Sequence, residues 1–329
     1  MTITSDWTRL RNKLMRDLSL FFTSCSATED RLEHYALVDA AQVPEMRSNT
    51  RLIERLHGVR LFSLTQEHGI EKYGPILIPL CEASDRNIDA SLISAMRSGW
   101  AVSWLGSTLP LMKLAEHLVQ YMNGRLADGR EVLVRYYDPR VLPVFLEHAE
   151  KTLIEGLMAP IAHWAWWDRQ MKFTSRVGDR LHFSAKFAEI NISQQLQEAF
   201  SKRAIEDLIQ GMLLEHTDKD EFASWLPQVL YCAVAKHVSA AQQIGLISIS
   251  NIYLYVSLAL RTHPRFFSLL ALESKGTCPI TEIDLPQLVL AVIDDDWNIL
   301  SSDGKHEIET LRQTITTEIC LDVEHFRGR

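Results

Sequence analysis

The apolar residues of this chain change their spacing once, near residue 190, and that change narrows the folds open to it. From His34 to about residue 150, short apolar runs alternate with segments of helical period; beyond Asn191 the helical period persists. Five runs in the first part read as strands: His34-Tyr-Ala-Leu-Val-Asp-Ala, Val59-Arg-Leu-Phe-Ser, Pro75-Ile-Leu-Ile-Pro-Leu, Trp100-Ala-Val-Ser-Trp-Leu and Glu131-Val-Leu-Val-Arg-Tyr-Tyr. The third is apolar at both alternating sets of positions, as in a strand covered on both faces. Between them, helical spacing at Leu52, Ile53 and Leu56 stops at Gly58, and helices are expected over residues 88–96 and 110–122. Ala127-Asp-Gly-Arg is a turn. Asp138-Pro139 reads as a helix start, with Asp138 capping free amides and Pro139 at the first helical position. Residues 171–177 and 180–185, joined at Gly178-Asp179, read as a hairpin.

Strands alternating with helices predict an α/β N-terminal lobe, a layered sheet with flanking helices, over residues 1–188. Residues 189–329 are expected to form an all-helical C-terminal lobe. One stripe there is Ile205, Leu208, Ile209, Met212 and Leu213. A helix over 229–244 stops at Gly245, another over 252–260 ends before His263-Pro264, and a last one carries Ile308, Leu311, Ile315 and Ile319. Ahead of the first strand, Trp7, Leu10, Leu14, Leu18 and Phe21 stripe a helix over residues 5–22, with Arg9, Lys13 and Asp17 off the stripe. That helix is expected to dock on the protein's own core.

Charge excludes some partners. The 42 acidic residues exceed the 34 lysines and arginines, a net of −8, which argues against nucleic acid or an anionic membrane as partner. The deficit gathers at one end: from Leu270 onward there are 12 Asp or Glu against 5 Lys or Arg. The longest apolar stretch, 252–260, is too short for a bilayer, so no membrane insertion is expected. Cys25, Cys81, Cys232, Cys278 and Cys320 are scattered, without C-x-x-C, and no leader pattern follows Met1. Reduced thiols and a cytoplasmic location are the expectation.

Motifs of catalysis are scarce. The sequence has no phosphate-cradling loop, no G-x-S-x-G and no H-E-x-x-H. Ser107, after Gly106, reads as a cap at a strand end rather than a nucleophile. Five Glu-His pairs (Glu67-His68, Glu116-His117, Glu147-His148, Glu215-His216, Glu324-His325) are adjacent in sequence, which splays them on a helix and prevents chelation. Asp294-Asp295-Asp296 is read as a solvated loop rather than a cation site, and as part of an acidic face toward a protein partner. Trp164-Ala-Trp-Trp puts indoles on both faces of a strand. One ring is expected in the core; Trp164, Trp166 and Trp167 are together the candidate partner anchors. Arg135 and Asp138 flank Tyr136-Tyr137, with Arg140 just after. An enzyme would use Arg135 to hold an anion and Asp138 as a base; the preferred reading is a helix cap beside an ion pair. No catalytic, cofactor or metal-binding residue is assigned, and no cofactor is expected.

At this stretch a resemblance emerges. Tyr35-Ala-Leu-Val-Asp-Ala-Ala-Gln, Leu61-Phe-Ser-Leu, Gly74-Pro-Ile-Leu-Ile-Pro-Leu, Asp128-Gly-Arg, Arg135-Tyr-Tyr-Asp-Pro-Arg-Val-Leu and Pro160-Ile-Ala-His-Trp occur in that order. The set resembles the bacterial type VI secretion adaptor (or chaperone) family, over roughly residues 34–168. The resemblance implies a non-catalytic role: binding a toxic effector and handing it to the VgrG spike protein. Asp39, Pro75, Gly129, Arg135, Asp138, Pro139 and Arg140 match the pattern and are read as fold-defining. The competing readings are an α/β hydrolase with a helical cap and a structural subunit of the secretion machinery.

Overall fold

The computed structural model describes residues 3–26, 32–65, 69–80, 88–98, 100–178, 190–216, 221–269, 285–290 and 294–321. The chain divides into two compact units, one of residues 10–201 and one joining residues 1–9 to 202–329. The lobe boundary expected near residue 188 falls at 179–189, outside the described residues, as does the second arm of the expected hairpin.

The first unit is built on six strands: β1 (Glu33–Asp39), β2 (Val59–Arg60), β3 (Pro75–Leu80), β4 (Val102–Ser107), β7 (Ile161–Trp167) and β8 (Phe173–Val177). They lie in the order β2-β3-β1-β4-β7-β8, every pairing antiparallel. A second, three-stranded sheet pairs β5 (Asn123–Leu126) with β6 (Glu131–Leu133) and, in parallel, with β9 (Ile190–Ile192). This is the expected layered sheet with flanking helices, antiparallel throughout its large sheet.

Register explains how the layers form. Tyr35, Leu105 and Trp164 align across three strands, as do Leu37, Ser103 and Trp166, so these side chains share one face. That face packs with α5 (Leu111–Val119), α6 (Leu142–His148) and α7 (Lys151–Met158), through Leu114, Leu118, Phe145 and Leu157. The other face carries His34, Trp104, His163 and Trp167, and α1 (Ile3–Ser26) covers it. Phe22 meets Trp104 edge-on at 6.1 Å, and Phe21 meets His163 at 6.4 Å. Leu10, Leu14, Leu18 and Phe21 are buried, as the N-terminal stripe predicts, while Trp7 of that stripe is half-buried and Phe22, outside it, is buried too. Each such burial contributes about 1.5–3 kcal/mol relative to exposure. Lys13 and Asp17, off that stripe, are buried as well. They ion-pair at 3.2 Å; Lys13 donates to the Met171 carbonyl at 2.6 Å, and Asp17 accepts from the Trp167 indole at 3.0 Å.

Local chemistry moved several expected boundaries. After α2 (Pro44–Ser48) and α3 (Thr50–Arg55), the left-handed residue that ends the helix is His57, at φ 52°, not Gly58. Gly58 is needed for close approach, since a Cβ there would lie 3.0 Å from both Ile53 and Ile76. The strand expected over 59–63 keeps only Val59–Arg60, because Leu61–Leu64 coils into a 3-10 turn. Residues 90–95 form α4 (Ala90–Ala95). The strand expected over 131–137 ends at Leu133, because Tyr136 leaves the ladder to donate its hydroxyl to the Leu118 carbonyl at 2.6 Å.

The second unit is helical: α8 (Gln194–Arg203) leads into it, followed by α9 (Ile205–His216), α10 (Pro227–Gln243), α11 (Ile249–Arg261), α12 (Phe266–Leu269), α13 (Leu285–Leu290) and α14 (Asp294–Leu321). α10 packs on α9, α11 and α14 with Val229, Leu230, Ala233, Val234 and Val238 buried, and Gly245 ends its run at φ 87°. Within this unit Arg312 of α14 donates to Asp6 of α1, both side chains 4% exposed, and to Glu309 at 2.8 Å. No helix among the described residues is long and apolar enough to cross a membrane.

Candidate functional site

The residues of the resembling motif converge where β1 ends. Asp39, its last residue, is fully buried, which demands hydrogen-bond donors for its carboxylate. Oδ1 accepts from the Ala41 amide at 3.1 Å, starting the 3-10 turn Ala40–Gln42; Oδ2 accepts from Gln42 Nε2 at 2.9 Å and from Arg135 Nη2 at 2.5 Å. Gln42 also donates to the Trp100 carbonyl at 3.1 Å. Opposite Asp39 in the ladder stands Pro75, at the first position of β3, where a missing amide is tolerated. Gly129, at φ 84°, makes the β5–β6 turn.

Arg135 joins two carboxylates, lying 3.6 Å from Asp138 as well, and its guanidinium stands 5.9 Å from the Tyr137 ring centre. Burial opposes its charge, yet the charges of Asp39 and Asp138 outweigh that and raise its pKa above the ordinary arginine value. Burial, and then the Asp39 charge, push the Tyr137 phenol above its usual range, so it stays protonated.

Asp138 is 2% exposed, and both its oxygens are occupied. Oδ1 accepts from the Arg140 amide at 2.9 Å and from Arg140 Nε at 3.1 Å; Oδ2 accepts from Arg140 Nη2 at 2.8 Å. The helix expected to start at Pro139 starts at Leu142, with Val141 as its cap residue and Pro143 in its first turn. Asp138 therefore holds a turn ahead of α6 rather than capping it: its side chain binds the amide two residues on, and its carbonyl accepts from Val141 and Leu142. Pro139 sits inside that turn. Arg140 reaches onward, its guanidinium 6.0 Å from the Trp100 ring centre and its carbonyl accepting from Arg169 at 2.9 Å. Trp100 donates to the Asp168 carbonyl at 2.7 Å. Sequence reading gave Gln42, Trp100 and Arg169 no role: Gln42 ends the run quoted from Tyr35, but its bond to Trp100, and those of Trp100 and Arg169, reach partners distant in sequence.

The tryptophan expectation needs correction. Trp164, Trp166 and Trp167 are 0%, 4% and 2% exposed, so none is an exposed partner anchor. β7 has strands on both sides and helices over both faces, which covers both alternating sets of side chains. Trp164 donates to Ser103 at 3.0 Å and meets Tyr136 edge-on at 6.0 Å; Trp167 lies 4.7 Å from Phe173. Ser107 is fully buried, donating to the Pro160 carbonyl at 2.7 Å and accepting from the Leu109 amide at 3.1 Å, as a cap does. Asp294, Asp295 and Asp296 open α14 instead of forming a loop; their side chains lie outside the described residues. Of the Glu-His pairs, His117 is buried with Nε2 2.9 Å from the Leu157 carbonyl, while Glu116 pairs with Lys113. Glu67-His68 and Glu324-His325 lie outside the described residues, as do Cys81 and Cys278.

Residues 34–153, from β1 into α7, match the family model described as Domain of unknown function (DUF4123). No curated protein and no solved structure matches the chain.

Proposed function

We propose that this chain is a cytoplasmic, non-catalytic adaptor of type VI secretion that binds an effector and delivers it to the VgrG spike. The reading is supported by the resemblance through Asp39, Arg135, Asp138 and Arg140, and by the family-model match over the same region. One observation carries it furthest. Asp138, the best candidate for a general base, is buried with three donors from Arg140 on its carboxylate. A carboxylate so engaged braces a scaffold; it is not poised to take a proton from a substrate. Its arginine neighbours are held by the same carboxylates and by backbone carbonyls. A scaffold of this kind suits a protein whose work is to present surfaces.

Co-expression with a VgrG and a candidate effector from the same genome, followed by affinity purification and size-exclusion chromatography, tests the reading. A complex with the effector, or a ternary one with VgrG, is expected. Absence of both complexes overturns it, and so does substrate turnover abolished by Asp138→Asn in a protein that still folds.

A further inference from the structure

On the first unit, on the turn that packs beside Ala40–Gln42 and leads into β3, the phenol ring of Tyr73 stands 40% exposed between two cations. Arg47 lies 5.2 Å and Lys72 5.1 Å from the ring centre. Neither cation is ion-paired to a carboxylate among the described residues. Leu64 and Ile70, on the neighbouring turns, are 38% and 41% exposed. Positive charge with no carboxylate partner among the described residues, beside an exposed tyrosine, complements an acidic segment in charge, and arginine and tyrosine are residue types enriched at protein interfaces.

The arrangement is also preformed. Arg60 spends its guanidinium on backbone: it donates to the Lys72 carbonyl at 3.3 Å, the Met46 carbonyl at 3.0 Å and the Arg47 carbonyl at 3.3 Å. It thereby ties together the two segments that bear the cations. Gly74 lets the chain press against Phe62, since a Cβ there would fall 2.4 Å from that ring. The Tyr73 amide donates to the Ile70 carbonyl at 2.8 Å. A backbone held in place before binding loses less entropy on binding.

We infer that Arg47, Lys72 and Tyr73, with Leu64 and Ile70, form a docking surface for an acidic segment of a protein partner that carries apolar side chains. Carboxylates meet the two cations, and an aliphatic side chain covers the ring. The inference stands apart from the adaptor reading.

The test uses the full chain and a fluorescein-labelled peptide alternating Glu and Leu, followed by fluorescence anisotropy. Arg47→Glu with Lys72→Glu is expected to weaken binding at least tenfold, and Tyr73→Ala several-fold. Arg11→Glu with Arg16→Glu makes the same charge change on exposed positions of α1 and is expected to change binding less than twofold. The same peptide with Gln for Glu should bind weakly, and raised salt should weaken the Glu peptide. Should the charge reversal unfold the chain, Arg47→Gln with Lys72→Gln and Tyr73→Ala provide the same readout. No binding to the native chain, equal loss in the α1 control, or tighter binding of an oligothymidylate than of the peptide would each overturn the inference. If effector capture survives these substitutions and peptide binding does not depend on them, the docking surface fails while the adaptor reading stands. Peptide binding without any effector complex gives the reverse.

Discussion

Asp39 and Arg135 lie 96 residues apart in sequence and meet at 2.5 Å, the Asp39 side chain fully buried and the Arg135 side chain 39% exposed. The pair joins the end of β1 to the turn before α6. Removing one partner of such a pair leaves the other desolvated without compensation. Asp39→Asn places an amide donor against Gln42 or the Ala41 amide and should cost about 2–3 kcal/mol. Arg135→Ala should cost less, about 1–2 kcal/mol, because water reaches the exposed side and Asp39 keeps its two other donors. Urea titrations of the two variants check the order; an arginine variant less stable than the asparagine one contradicts it.

Two glycines in helices should respond in opposite directions. Gly304 of α14 rests on the C-terminus of α11, and a Cβ there would fall 1.6 Å from the Thr262 carbonyl oxygen. Backbone cannot rotate aside as a side chain can, so Gly304→Ala should cost about 3 kcal/mol or more. Gly211 of α9 has nothing within 4 Å of its virtual Cβ. There alanine should add about 0.5–1 kcal/mol by limiting the unfolded chain and favouring the helix. Thermal melts of both variants give the comparison directly.

His237 of α10 carries a pH dependence with a definite sign. Burial, reinforced by the charge of Lys236, lowers its pKa from 6.5 to about 4. As pH falls the unfolded chain takes up this proton first, so folding is progressively disfavoured between pH 6.5 and about 4. Stability from the neutral ring is fully present above that window. For one proton the slope approaches about 1.4 kcal/mol per pH unit. His237→Met removes this proton and should flatten denaturation midpoints measured across the window; parallel curves for variant and native chain would refute the assignment.

The strands of the large sheet were legible where a short apolar run was uninterrupted, as in Tyr35–Asp39, Pro75–Leu80 and Trp164–Trp167. Alternation shows that two faces exist, but not what covers them. The indoles of β7 therefore read as possible surface, although α1 and the helices opposite bury them. Lys13 and Asp17 misled in the same way: their i, i+4 spacing permits a pair that goes inside together, and charge alone hid it. The Asp138 turn displaced the expected helix start because Arg140 folds back on the carboxylate, a local competition that capping preferences do not weigh. The ring of contacts around Asp39 lay beyond local reading, since its partners come from three separate segments. In the helical unit the apolar period found the main helices and Gly245 stopped its helix as expected, but Leu208 of the predicted stripe is 49% exposed and the last helix begins at Asp294, where a loop was expected.

The paired indoles on one face of β7 allow a finer test of what holds the sheet to its helices. Trp164 donates to Ser103, whereas Trp166 Nε1 is buried with no hydrogen-bond partner among the described residues. Replacing either by Phe removes similar volume, so the cavity costs should nearly cancel in the comparison. Trp164→Phe additionally strands the Ser103 hydroxyl in the core, while Trp166→Phe discards an unsatisfied donor. The first should therefore be less stable than the second by about 1–2 kcal/mol in urea titrations. Both should keep full effector capture in a folded protein, because these rings are core. A folded Trp166→Phe variant that loses the effector would place that ring at the interface after all.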